Sequence, residues 1–156
     1  EKIGILWQTH NITSAHEHFI SNLIRQKIIV AIDGLPVPSK MAKKILLFLP
    51  QGEAHELGLL FYHYIVRKAG LRSYYLGQNV PHENLIQVYG VHQPDLLLTS
   101  ITSAPFIAIE DYFNKLNKDF PDITILASGA QTHPYKATKT GNIQTFTNAL
   151  DLKRFL

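Results

Sequence analysis

A chain of 156 residues that is 46% hydrophobic and 17% charged has the length and apolar content for one well-buried domain and is too apolar to be disordered. Lys+Arg 15 against Asp+Glu 12 leaves a formal net charge of +3, and the basic residues are scattered along the chain, a weak footprint for nucleic acid. The absence of cysteine excludes a disulfide framework, a thiolate zinc site and a cysteine nucleophile, so any metal must be held by histidine or carboxylate. Apolar runs such as Ile45 to Leu49 fall far short of the roughly 20 residues of a membrane span, and no secretory signal pattern is found. The expectation is a cytoplasmic protein with no membrane partner. Its first residue is Glu1 rather than Met, as in a segment of a longer protein.

In chain order, Ile3, Leu6 and Trp7 are spaced for one face and read as the end of a helix. Ser14 is a candidate N-cap with Glu17 completing a Ser-x-x-Glu capping box, and Phe19, Leu23, Ile24 and Ile28 recur at helical steps, which predicts an amphipathic helix over 14–32. Two helices cannot bury two apolar faces alone. Residues 1–33 therefore read as the C-terminal part of a helical bundle. The run Asp33-Gly34-Leu35-Pro36-Val37-Pro38 ends it, because two close prolines cannot continue a helix and the glycine offers a left-handed stop. Residues 34–42 are expected to be a linker.

From 43 to 156 short apolar strands alternate with helices, the signature of a parallel sheet covered on both faces. The strands are expected at 44–49, 72–76, 95–100, 123–127 and 142–145. The helices are expected at 55–69, 81–92, 105–118, 132–139 and 147–155. Right-handed crossovers make this an α/β, flavodoxin-like doubly wound sheet of five parallel strands in the order 2-1-3-4-5, preceded by the partial bundle. Its ligand crevice lies between the carboxyl ends of the first and third strands.

The loop at that crevice reads Gln51-Gly52-Glu53-Ala54-His55-Glu56-Leu57-Gly58. A carboxylate that accepts from one imidazole nitrogen fixes the tautomer and leaves the other nitrogen for a metal or a proton. The plain alternative is a solvent-facing histidine at a helix start. No dinucleotide or P-loop glycine pattern follows the first strand. The neighbouring strand ends are small and polar, Thr99-Ser100-Ile101-Thr102-Ser103 and Ser128-Gly129-Ala130, which leaves either a slot or ordinary turn chemistry. The other histidines, His10, His16, His63, His82, His92 and His133, lack ligand-like spacing, and His63 is expected to be solvated or packed.

Glu53-x-His55-x-x-Gly58, with the Ser100/Thr102 segment and the Ser128-Gly129 turn, resembles the cobalamin-binding domain of methionine synthase, corrinoid proteins and B12 mutases, over roughly residues 43 to 156. The resemblance implies that His55 is the lower ligand of cobalt, Glu53 its orienter, and Ser100, Thr102, Ser128 and Gly129 the lining of a slot for the displaced nucleotide tail. Trp7 followed after nine residues by Glu17-His18 is similar to the pattern of the CarH/LitR group of MerR-type light-sensing regulators. By that resemblance Trp7 covers the upper corrin face and Glu17 and His18 meet an adenosyl group, while a packed aromatic and a capping-box glutamate are the plain alternatives. This sequence departs from the family in having Glu53 for Asp, Ser128 for Gly, and Gln8 where a histidine follows the tryptophan.

The expectation is an adenosylcobalamin-binding sensor domain without turnover of its own, in a homo-oligomeric regulator that meets DNA through an N-terminal domain before this segment. The alternatives are the corrinoid domain of a methyltransferase or mutase, and a regulator that has lost the cofactor.

Overall fold

The computed structural model describes residues 13–103, 108–135 and 139–156. The expected helix around Trp7 lies outside them. The first described helix, α1, runs Ser14–Asp33, and its N-cap is Thr13, one residue earlier than expected. Thr13 is extended, at φ −81° and ψ 161°, so its hydroxyl reaches the backbone N–H of His16, whose ring Nδ1 turns back toward the Thr13 N–H. His16 thereby takes the place expected of Glu17 in a capping box. Gly34 closes α1 in the right-handed region, at φ −72°, so the stop comes from Pro36 and Pro38 and not from a left-handed glycine.

Five strands form the expected parallel sheet: β1 Lys44–Pro50, β2 Arg72–Val80, β3 Leu96–Ser100, β4 Thr124–Ser128 and β6 Ile143–Thr145, in the spatial order β2-β1-β3-β4-β6. A two-residue strand, β5 Lys139–Thr140, adds antiparallel to β6 at the edge. Helices α2 Glu56–Lys68, α3 His82–His92, α4 Ile109–Asp119 and α5 Ala149–Leu152 cover the sheet. Instead of the expected helix over 132–139 there is a 3-10 turn, Ala130–Tyr135, with Pro134 inside it, and then the edge strand. Proline has no N–H to donate and its ring clashes with the preceding turn, so an α-helix cannot pass through this position. The last helix is likewise shorter than expected.

β1 lies between β2 and β3, so its alternating side chains are buried on both faces, all of Ile45 to Leu49 being at most 2% exposed. Leu46 and Phe48 join Leu97, Phe113 and Phe120 under α3 and α4, whereas Ile45, Leu47 and Leu49 join Leu59, Phe146 and Leu152 under α2 and α5. This double burial explains why β1 reads as a continuous apolar run. α1 lies against α2 outside these cores. Of its side chains only Ile32 is buried, and Leu23, Ile24, Ile28 and Ala31 form an open apolar groove with Phe61 and Tyr64 of α2.

Candidate functional site

The strand order reverses between β1 and β3, which opens the crevice at their carboxyl ends. β1 leads there into a tight turn in which the Pro50 carbonyl accepts the Glu53 N–H at 2.9 Å. Gly52 sits at φ 86°, a region that side chains rarely enter. Its N–H donates to the Asn79 Oδ1 at 2.9 Å, tying the turn to the end of β2.

The turn lowers Glu53 into the protein, where it is 3% exposed. Its Oε1 accepts the backbone N–H of His55 at 2.9 Å and stands 2.6 Å from the ring Nδ1. Oε2 accepts the N–H groups of Thr102 and Ser103, at 2.6 and 2.8 Å, from the loop after β3. Burial alone would raise the pKa of this carboxyl, but the hydrogen bonds from His55, Ser103 and Thr102 outweigh it and hold the value at about 2. An ionised carboxylate only accepts, so the proton between the two residues sits on Nδ1. The ring of His55 is 61% exposed with Nδ1 committed, which leaves Nε2 with its lone pair to a ligand.

Around this pair, Thr102 contributes its backbone N–H and leaves its side chain exposed. Ser100 and Ser128 are register partners on β3 and β4 and therefore lie on the same face of the sheet. A Cβ at Gly58 would meet Ser100 Oγ at 3.9 Å, an ordinary van der Waals contact, which places Gly58 of α2 beside Ser100 of β3. The hydroxyls of Ser128 and Thr99 are fully buried and have no hydrogen-bond partner among the described residues. Gly129 adopts φ 101°, and a Cβ there would stand 2.3 Å from the carbonyl oxygen of Ile101. Only glycine permits the close approach of the two loops, which are joined by Ile101 N–H to Ser128 O at 2.7 Å and Gln131 N–H to Ile101 O at 3.0 Å.

The structure thus gathers Glu53, His55, Gly58, Ser100, Thr102, Ser128 and Gly129 at one end of the sheet. Glu17 and His18 lie apart on α1, 3.5 Å from each other, with the Ser21 hydroxyl donating to Glu17 at 2.5 Å. Among the described residues neither makes a hydrogen bond or ion pair with the His55 loop. Trp7 lies outside the described residues. Sequence reasoning missed Ser103 and Asn79, and also Glu56 with its partner Tyr75. Ser103 belongs to the polar segment already singled out, but nothing local marks the other three. His63 is packed: its ring stacks on Tyr75 at 4.8 Å and its Nε2 is 2.8 Å from the Ser73 hydroxyl. No helix among the described residues is long and apolar enough to cross a membrane.

Fold and site together define a flavodoxin-like α/β chain with a carboxylate-backed histidine at its switch point. No family model matches the chain. Among solved structures it is similar to a novel cobalamin-binding protein from Desulfitobacterium hafniense, with a TM-score of 0.56 and 16% identity over 99% of this chain and 75% of that one. It is also similar to the monomethylamine corrinoid protein of Methanosarcina barkeri, with a TM-score of 0.63 and 17% identity over 86% of this chain and 62% of that one. These likenesses establish the fold.

In sequence, the chain is 28% identical over 137 residues to the HTH-type transcriptional repressor CarH of Myxococcus xanthus, a match that covers 86% of this chain. The chain spans less than half of that repressor, 45% of its length. The likeness to CarH read from short motifs is therefore a likeness of most of the chain.

Proposed function

We propose that this chain is a cobalamin-binding sensor module, not an enzyme, of a CarH-like MerR-type regulator, and that adenosylcobalamin is the form it senses. The observation that carries the reading is the Glu53–His55 pair at the switch point, with Nδ1 committed and Nε2 left over. Among the described residues no three His, Asp or Glu side chains converge, so a metal here has to bring its other ligands with it, as a corrin does. The remaining residues fit such a group. Gly58 lies beside Ser100, and the unpartnered hydroxyl of Ser128, on the same sheet face as Ser100, is a polar group in want of a partner near the proposed tail slot.

In this reading His55 offers Nε2 as the lower ligand, and Glu53 fixes the tautomer and orientation of its ring. Ser100, Thr102, Ser128 and Gly129 border the slot for the nucleotide tail. Trp7, Glu17 and His18 are assigned to the upper side, because an aromatic surface and a carboxylate suit an adenine and a ribose diol. Adenosylcobalamin, when bound, supplies a light-labile cobalt–carbon bond. The domain plan is a bundle segment over 1–33, a linker over 34–42 and the binding domain over 43–156, in a homo-oligomer that meets DNA through an N-terminal domain.

The test is the visible absorption spectrum of the purified chain after incubation with adenosylcobalamin in the dark. Retained cofactor with a histidine-ligated, base-off spectrum is expected, and His55→Ala should lose both. Equally tight binding with identical spectra in wild type and His55→Ala would remove His55 as the ligand.

A further inference from the structure

Glu56 follows His55 in the chain and opens α2. Its two carboxylate oxygens are divided between two other elements. Oε2 accepts from the Nε of Arg25 on α1 at 3.0 Å, and Oε1 accepts from the hydroxyl of Tyr75 on β2, also at 3.0 Å. The Glu56 side chain is 13% exposed and that of Arg25 47%, so the carboxylate end of the ion pair is the one shielded from water. The Tyr75 phenol is itself held, by stacking on His63. The carboxylate is therefore a fixed post and not a mobile surface group.

Apart from the apolar face that Leu23, Ile24, Ile28 and Ala31 turn toward Phe61 and Tyr64 of α2, α1 has little else to hold it. Ile32, its one buried side chain, lies near its C-terminal end. Just beyond, the linker is pinned by Arg67, which donates to the Pro36 carbonyl, and by Arg72, which donates to the Lys40 carbonyl. Arg25 stands about 10 Å back along the helix from Ile32. Its bond to Glu56 is the one polar contact from α1 to the α/β domain among the described residues. We propose that Arg25 is a positioning residue that registers α1, and with it Glu17 and His18, against the loop carrying His55. The contact with the site rests on the reading of His55 given above, whereas the hold on α1 stands on the geometry alone.

Two measurements test the two parts. In the cofactor-free chain, hydrogen–deuterium exchange of the α1 amides should quicken at least about threefold in Arg25→Met, because a helix released from its neighbour is marginal in water. Amides of β1, β3 and β4 should be unchanged. Arg25→Lys should restore most of the protection, and Arg25→Met should add nothing further in a Glu56→Gln background. Unchanged α1 exchange, acceleration shared equally by the strands, or an undiminished effect in Glu56→Gln would overturn the hold on α1. With adenosylcobalamin loaded in the dark, Arg25→Met should release the cofactor several-fold faster while the bound spectrum stays that of wild type. An unchanged release rate would overturn the registration over the site. A wild-type chain that takes up no cobalamin would overturn the functional reading and the registration with it, and the exchange comparison would still decide the hold on α1.

Discussion

Four N–H groups converge on the Glu53 carboxylate, two on each oxygen, and this fixes what substitution there does. Glu53→Gln keeps the shape but turns an NH2 toward donors. A loss of about 2–3 kcal/mol is expected, the usual cost of leaving buried polar groups unmatched. Urea denaturation of the cofactor-free chain measures it, and an unchanged midpoint would contradict the hydrogen-bond pattern. In cofactor binding, Glu53→Ala should cost about 10–100-fold, as removal of a ligand's supporting group typically does, and His55→Ala should cost more. Gly129→Ala meets both a left-handed backbone and the Ile101 carbonyl, so it should destabilise by at least about 2 kcal/mol in the same assay. His63 gives the acid limb. Burial first, and Arg67 second, lower its pKa from 6.5 to about 4. Its contribution is fully present above pH 6.5 and is lost as the pH falls toward 4, because only the unfolded chain takes up the proton in that window. His63→Gln should therefore lose less stability between pH 7.5 and pH 5 than wild type.

At the scale of elements, the strands were legible because β1, β3 and β4 are buried on both faces and must be apolar throughout. The start of α1 was misplaced by one residue because Thr13 and Ser14 are both good caps, and nothing local shows that a histidine ring, His16, can answer the cap. The helix expected over 132–139 is defeated by Pro134, which leaves a 3-10 turn instead. In the candidate site, Glu53 beside His55 was legible from spacing. The bonds from Glu53 to Thr102 and Ser103, 49 and 50 residues away, and the meeting of Arg25, Glu56 and Tyr75 were not, since both depend on tertiary placement. Thr13→Ala should cost about 1 kcal/mol of α1 stability. Because α1 lies outside both cores, the loss should appear as faster amide exchange in its first turns with little change in the global unfolding midpoint.

For the molecule as a whole, the sheet places the His55 imidazole at its switch point, the position proposed for the lower ligand, whereas residue 8, next to Trp7, is a glutamine. A glutamine amide is a poor ligand for Co(III) compared with an imidazole. Illumination of the adenosylcobalamin complex is expected to leave an aquo or weakly ligated cobalamin on His55. A bis-histidine spectrum that disappears in His10→Ala or His18→Ala would identify a substitute ligand and refute this.

The reach of Glu53 also bears on the order in which the chain assembles. An ionised carboxylate cannot be buried at Glu53 until the amides of Thr102 and Ser103 are there to receive it. A nascent chain that has emerged only through the second strand holds the His55 segment but lacks those amides. Cofactor capture during synthesis must therefore wait for the third strand and its loop. A ribosome-stalled chain truncated before residue 95 should take up no cobalamin even though its histidine is already present.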